Sequence, residues 1–258
     1  MLGILSSGPG GLLFARELNK LMPDVGFVYW GDTAHGPYGS RSAERVGKWV
    51  GKGLKFLEEK GVEAIVVASG DASIASRSAD VRRLTTQMYA DVKAPIVDYW
   101  DMQIKAALAV SKKKRIGIMG SRLVIERTGL LGLEQQGCVV LKKAIPALAP
   151  LILEGEERRG EMRRLIRAHL QWFKTQNIDI LILGSILYVR MYDEIQAKMG
   201  KRMKVIHPVD ALMGSLTNMG FVLHEGKGAP HFYFTDITPR DLDIASQWFG
   251  RRVCGEKA

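Results

Sequence analysis

Residues 64–76 read AIVVASGDASIAS, and this stretch decides the fold. Ala64 to Val67 form a short, unbroken run of small and β-branched apolar residues, which reads as a strand buried on both faces. Small polar residues follow at Ser69, Gly70 and Asp71, and a helical stretch begins near residue 72. An apolar strand that gives way to a short polar loop and then a helix is the unit of an open parallel α/β sheet. Such sheets hold their ligands at the carboxyl ends of the strands.

The unit recurs on both sides. LGILS (2–6) precedes a helix over about 10–22, in which Leu12, Leu13, Ala15, Leu18 and Leu21 fall roughly on one face. VGFVYWG (25–31) precedes a helix over about 42–60, and APIVD (94–98) one over about 101–111. The second half continues with strands at RIGIMGS (115–121), near 138–143 and near 150–153. A long basic amphipathic helix over about 156–176 and strands at IDILILGS (178–185) and KVIHP (204–208) follow. The alternation predicts a mainly parallel sheet with helices on both faces. Strand ends Ser6 and Ser69 lie 63 residues apart, and Gly120 and Ser185 lie 65 apart. The near-equal offsets predict two similar α/β lobes whose strand ends converge on an interlobe cleft.

The chain of 258 residues suffices for one large domain or two small ones. Its apolar runs are too short for a membrane span, and its first residues read as a strand rather than a leader. Only Cys138 and Cys254 occur, which excludes a disulfide framework and a cysteine metal cluster and favours a reducing cytoplasm. A net charge of +10 favours anionic contacts: nucleic acid, acidic proteins or small metabolites. The basic peaks KKKR (112–115), RRLIR (163–167) and GKRMK (200–204) are scattered and lack interleaved aromatics. They read first as solvated surface and only second as a binding patch.

Four segments carry a family resemblance. GDTAHGPYGSRS (31–42) resembles the Gly-Asp-Thr-Ala-x-x-Pro-Tyr-Gly segment of glutamate racemases, and LGILSSGPGG (2–11) their glycine-rich opening. GCVVLKKAIPALAPLILEG (137–155) and HFYFTDITPRDLDIASQWFG (231–250) resemble their later segments. On these residues the chain is identified as a member of the aspartate/glutamate racemase superfamily. The resemblance implies two α/β lobes related by a pseudo-twofold axis, the first holding 1–95 plus 209–258 and the second 96–208. It also implies a homodimer and a site between the lobes that needs no cofactor and no metal. In the family, two cysteines face opposite sides of the substrate α-carbon and exchange its proton.

This chain departs from that pattern where the chemistry lies. Ser69, in Ala68-Ser69-Gly70-Asp71, stands where the family has Ala-Cys-Asn-Thr. Ser185, in Gly184-Ser185-Ile186-Leu187-Tyr188, stands where it has Gly-Cys-Thr-His-Tyr. Ser6 replaces the aspartate that assists the first cysteine, and Leu187 the histidine that assists the second. A thiol titrates near pH ~8.5 and can be driven to thiolate; a serine hydroxyl needs a positioned base. The expected result is loss of racemisation. The bland role for both serines is to satisfy loop backbone groups.

Ser7, Gly8, Asp32, Pro37, Tyr38 and Gly39 keep the family pattern. With Ser6, Ser69, Gly70, Asp71, Ser121, Ser185 and Ile186 they form the expected ligand-binding set. Tyr38 reads equally as a loop anchor, and His35 as a surface residue. Asp71 replaces a threonine that helps hold the substrate carboxylate. It is either a helix N-cap or a contact that favours an amine over a carboxylate. Three readings follow: an inactive racemase-like protein that binds a small amino-acid-like or amine ligand; an enzyme of different chemistry in the same cleft; and an interaction protein that works through its basic surface.

Overall fold

The computed structural model describes residues 1–77, 92–218 and 228–258. The later part of the helical stretch after Asp71, and part of the 209–258 segment, lie outside the described residues. The first sheet comprises β1 (Leu2–Ser6), β2 (Phe27–Gly31), β3 (Ala64–Val67), β4 (Ile96–Asp98), β9 (His231–Phe234) and β10 (Gly255–Lys257). The second comprises β5 (Arg115–Gly120), β6 (Val139–Ala144), β7 (Ile180–Leu183) and β8 (Lys204–Ile206).

The strand orders are β10-β9-β2-β1-β3-β4 and β6-β5-β7-β8, and every pairing is parallel. The first four strands of each half therefore adopt one order: second, first, third, fourth. This is the structural counterpart of the equal offsets in the sequence.

Strands β1, β2, β3 and β7 are buried at every residue. Helices cover both faces, so these strands show no alternation of polar and apolar residues. Helix α1 (Leu12–Leu21) buries Leu12, Leu13, Phe14, Ala15 and Leu18. Helix α2 (Ala43–Glu59) buries Val46, Val50, Leu54 and Leu57 at helical spacing, and Ser42 caps it by accepting from the Arg45 N–H.

Two expectations need correction. Residues 150–153 are not a strand but part of helix α6 (Leu148–Leu153), which buries Leu148 and Ile152. A short apolar run fits either element, and Leu148 and Ile152 lie one helical turn apart. Strand β4, placed in the second lobe by a boundary at residue 96, pairs with β3 through Ile65–Ile96 and Val67–Asp98. The sheets thus divide after Asp98. The chain continues as α4 (Tyr99–Val110), builds the second sheet, and returns through α9 (Pro208–Asn218) to β9.

Candidate functional site

Four serines stand at the carboxyl ends of four strands, and each hydroxyl closes the turn into the next helix. Ser6 Oγ accepts from the Gly11 N–H at 3.0 Å, Ser69 Oγ from Ala72 at 3.3 Å, Ser121 Oγ from Val124 at 3.2 Å and Ser185 Oγ from Leu187 at 3.3 Å. Their own protons are also engaged at three positions. Ser6 donates to the Ala68 carbonyl at 3.4 Å, Ser69 to Ser7 Oγ at 3.2 Å and Ser121 to Asp71 Oδ1 at 2.5 Å. The backbone-satisfying role of Ser69 and Ser185 is thus observed.

Asp71 is not the helix cap. Ser69 holds that place, in extended backbone, ahead of α3 (Gly70–Ser76). Asp71 falls in the first turn, and its carboxylate crosses the interface to Ser121 at the end of β5. Burial pushes its pKa up to about 6, against the opposing effect of the Ser121 hydrogen bond. The Tyr188 hydroxyl is buried with no hydrogen-bond partner among the described residues; burial, then the nearby Asp71 charge, raises its pKa strongly.

The lobes meet closely around this carboxylate. Tyr99 Oη donates to the Leu183 carbonyl at 2.6 Å. A Cβ on Gly70 would lie 2.1 Å from the Gly184 carbonyl oxygen, so only glycine fits there. A Cβ on Gly10 would lie 2.9 Å from the Leu187 side chain and 3.3 Å from that of Ile186. Ile186 and Leu187 are both buried and form an apolar plug over the first glycine-rich turn.

Between the strand ends beside Asp71 lies a cavity of about 20 Å³, room for roughly one water molecule; a separate opening of about 390 Å³ between the lobes is lined by Glu154, Glu157, Arg190, Arg240 and Trp248. Of the expected residues, Ser6, Ser7, Gly8, Pro37, Ser69, Asp71, Ser185 and Ile186 line the small cavity. Asp32, Tyr38, Gly39, Gly70 and Ser121 stand outside that lining. Gly39 abuts the Ser121 side chain. Asp32 is fully buried and is bonded by Tyr38 Oη at 2.6 Å, Thr235 Oγ1 at 2.6 Å and His35 Nδ1 at 2.7 Å. Burial, then Asp32, holds the Tyr38 phenol well above its usual pKa. Tyr38 is the anchor of the 31–39 loop. His35 is partly exposed, but its ring stacks on Trp49 at 4.3 Å.

Sequence reasoning missed Ala149 and Leu153, which line the cavity from α6. The segment 137–155 carried the signal, and reading 150–153 as a strand hid it. A wider opening of about 260 Å³ adjoins the cavity, lined by Ser7, Gly8, Thr33, Pro37, Leu153, Glu154 and Arg240. Arg240, on helix α10 (Pro239–Phe249), pairs with Glu154 across this mouth, and both side chains are exposed.

No family model matches the chain. Over 236 residues it is 34% identical to the glutamate racemase of Aquifex aeolicus (strain VF5), covering 91% of this chain and 88% of that one. The chain belongs to the glutamate racemase family. The solved glutamate racemase of Aquifex pyrophilus matches with a TM-score of 0.81 at 30% identity, over 100% of this chain and 98% of that one. Glutamate racemase isoform RacE1 of Bacillus anthracis matches with a TM-score of 0.86 at 25% identity, over 100% and 97%. The two-lobed α/β fold of the family is therefore present throughout this member. Its cavity lining contains no thiol: Cys138 is buried ahead of β6 and Cys254 is exposed ahead of β10. Among the described residues, no helix is long and apolar enough to cross a membrane, and no group of three or more His, Cys, Asp or Glu could hold a metal ion.

Proposed function

We propose that this glutamate racemase-family protein does not racemise amino acids and that its cleft takes a small amino-acid-like or amine ligand. The observation that carries the reading is the state of Ser69 and Ser185. Both stand where the family resemblance calls for a proton-carrying thiol, and both hydroxyls are committed to helix caps. Neither has a base within the contacts described: Ser69 bonds Ser7, and the residue two beyond Ser185 is the apolar Leu187. Removing an α-proton needs a basic group at neutral pH, and these hydroxyls do not supply it.

Asp71 sets the preference for charge. A buried carboxylate repels a ligand carboxylate and favours an amine. The ligand enters when Ile186 and Leu187 move off Gly10, which enlarges the small cavity toward the adjoining mouth.

Two measurements test this. Circular dichroism of L-glutamate and L-aspartate incubated with the protein is expected to stay at the background rate; turnover above it overturns the reading. Calorimetric titration with glutamate, a neutral amino acid and a simple amine is expected to favour the amine. Tight glutamate binding that is unchanged by Asp71→Thr refutes the ligand assignment. One observation favours a second reading, different chemistry in the same cleft: a carboxyl titrating at about 6 is poised as an acid or base near neutral pH. Under that reading Asp71→Asn abolishes a turnover that the wild type shows.

A further inference from the structure

The net charge of the chain is confined to one lobe. Residues 99–207 contain 20 of the 37 lysines and arginines but only 10 of the 27 aspartates and glutamates. The whole excess of +10 lies there, and the rest of the chain is neutral. The basic peaks that are scattered in the sequence are gathered by the topology. All four strands of the second sheet are parallel, so their amino ends share one pole, opposite the pole that faces the cleft. The run Lys112–Lys114 leads into β5. Lys174 ends helix α7 (Gly160–Thr175), ahead of β7. Lys201, Arg202 and Lys204 lead into β8.

These side chains are exposed. Among the described residues, the ion pairs that involve this lobe, Arg77–Asp101, Arg159–Glu156, Arg163–Glu194, Arg190–Glu157, His207–Asp210 and Arg240–Glu154, include none of them. The segments that lead into the four strands contain two acids, Glu134 and Asp179. Asp179 is turned inward. Its carboxylate accepts from the Lys112, Lys113 and Arg115 N–H groups at 2.7, 2.8 and 3.2 Å and from Ser111 Oγ at 3.0 Å. Its carbonyl accepts from the Lys204 N–H at 2.9 Å. Asp179 thereby fixes the three strand entries side by side; Lys113 Nζ then donates to Asn177 Oδ1 at 2.8 Å and Lys114 Nζ to the Gln136 carbonyl at 3.2 Å, which leaves Lys112, Lys174, Lys201, Arg202 and Lys204 as the cations the proposal uses.

We propose that this pole is a docking surface for double-stranded nucleic acid, contacted through its phosphates and without sequence preference. Strands are about 4.8 Å apart, so β5, β7 and β8 span about 10 Å, and the lysine stems widen the face to roughly 20 Å. A duplex presents one charge per about 1.7 Å, or roughly a dozen phosphates over that footprint. Lysine is the point-charge partner of a phosphate. Among the described residues, the exposed large apolar side chains of this lobe are Val110, Leu130 and Val139, one to a segment and not clustered in sequence. A membrane-inserting face uses a stripe of Trp, Phe or Leu, and a protein hot spot centres on packed aromatic anchors. The chemistry of the pole fits neither.

The test is fluorescence anisotropy of a labelled 20-base-pair duplex of arbitrary sequence, titrated with the full chain from 50 to 200 mM KCl. About five phosphate contacts give a log K against log salt slope of about −4 to −5. Lys112→Gln, Lys174→Gln, Lys201→Gln and Arg202→Gln combined are expected to flatten that slope by three to four units and weaken binding more than tenfold at 100 mM. Arg251→Gln with Arg252→Gln, on the first lobe, is expected to change neither. No binding at 50 mM KCl, or a slope unmoved by the four substitutions, overturns the proposal. So does tighter binding to polyglutamate or to vesicles containing phosphatidylserine. Should the fourfold variant not fold by circular dichroism, the wild-type salt slope and the two competitor polyanions decide.

Discussion

Asp71→Asn is expected to stabilise the protein at neutral pH and to leave it nearly unchanged in acid. Asparagine keeps the shape of the protonated side chain and the carbonyl that accepts from Ser121, and removes the buried charge. The wild-type carboxyl titrates at about 6 when folded, against 3.8 ordinarily. Because the folded value is the higher, stability is full below pH 3.8 and declines as pH rises through 6. The shift amounts to about 3 kcal/mol. The variant has no such loss, so its advantage grows from about 0.5 kcal/mol at pH 4 to about 3 kcal/mol at pH 7.5. With a urea dependence of about 3 kcal/mol per molar, the unfolding midpoint rises by about 1 M at pH 7.5. Tryptophan fluorescence across a urea gradient, repeated at half-unit pH steps, measures this directly. A stability difference that is flat between pH 4 and 7.5 refutes the reasoning: it means that the folded carboxylate is solvated or paired as well as the unfolded one.

Ser69→Cys combined with Ser185→Cys is expected to leave racemisation at background, because Ser6 and Leu187 still supply no helper groups and such units fail when any member is absent; polarimetry of L-glutamate checks it, and robust turnover contradicts it. Gly70→Ala drives a methyl against the Gly184 carbonyl and is expected to cost about 2–3 kcal/mol, a fall in melting temperature of about 5–10 °C for a chain of this size; an unchanged calorimetric melt means that the lobes are not in register at that contact. Tyr38→Phe removes one of three donors from the buried Asp32 carboxylate and is expected to cost about 1.5–3 kcal/mol, read as a lowered urea midpoint.

The strands were legible because a doubly buried strand has no polar interruptions. AIVV and ILIL announce themselves by composition and length, whereas the caps Ser69 and Ser121 and the short helix after Ser121 emerged only in the structure. Sheet membership was less legible. APIVD reads as a strand, but nothing local says that Ile96 pairs with Ile65 rather than opening the next sheet. The partners of the buried acids were not legible at all. Asp71 meets Ser121 from 50 residues away, and Asp32 meets Thr235 from 203 away. Short-range pattern carries capping propensity, so Asp71 looked like a cap; the hydroxyl of Ser69 took that role two residues earlier and left the carboxylate to face the other lobe. The charged pole was hidden for a related reason: its residues are distant in sequence and adjacent only because parallel strands begin at one end.

Strand β2 is complete at Gly31, but its neighbour on one side, β9, begins at His231. At about 5–20 residues per second, a ribosome needs roughly 10–40 s to cover the interval. Throughout synthesis the nascent first sheet therefore carries a fully apolar strand, FVYWG, with an unpaired row of backbone donors and acceptors along one edge. Such an edge is a template for pairing with another chain. The second lobe, uninterrupted in sequence, can complete its sheet before the first does. Chains truncated before His231 are left with that edge permanently open and are expected to aggregate, whereas termination just after Phe234 closes it.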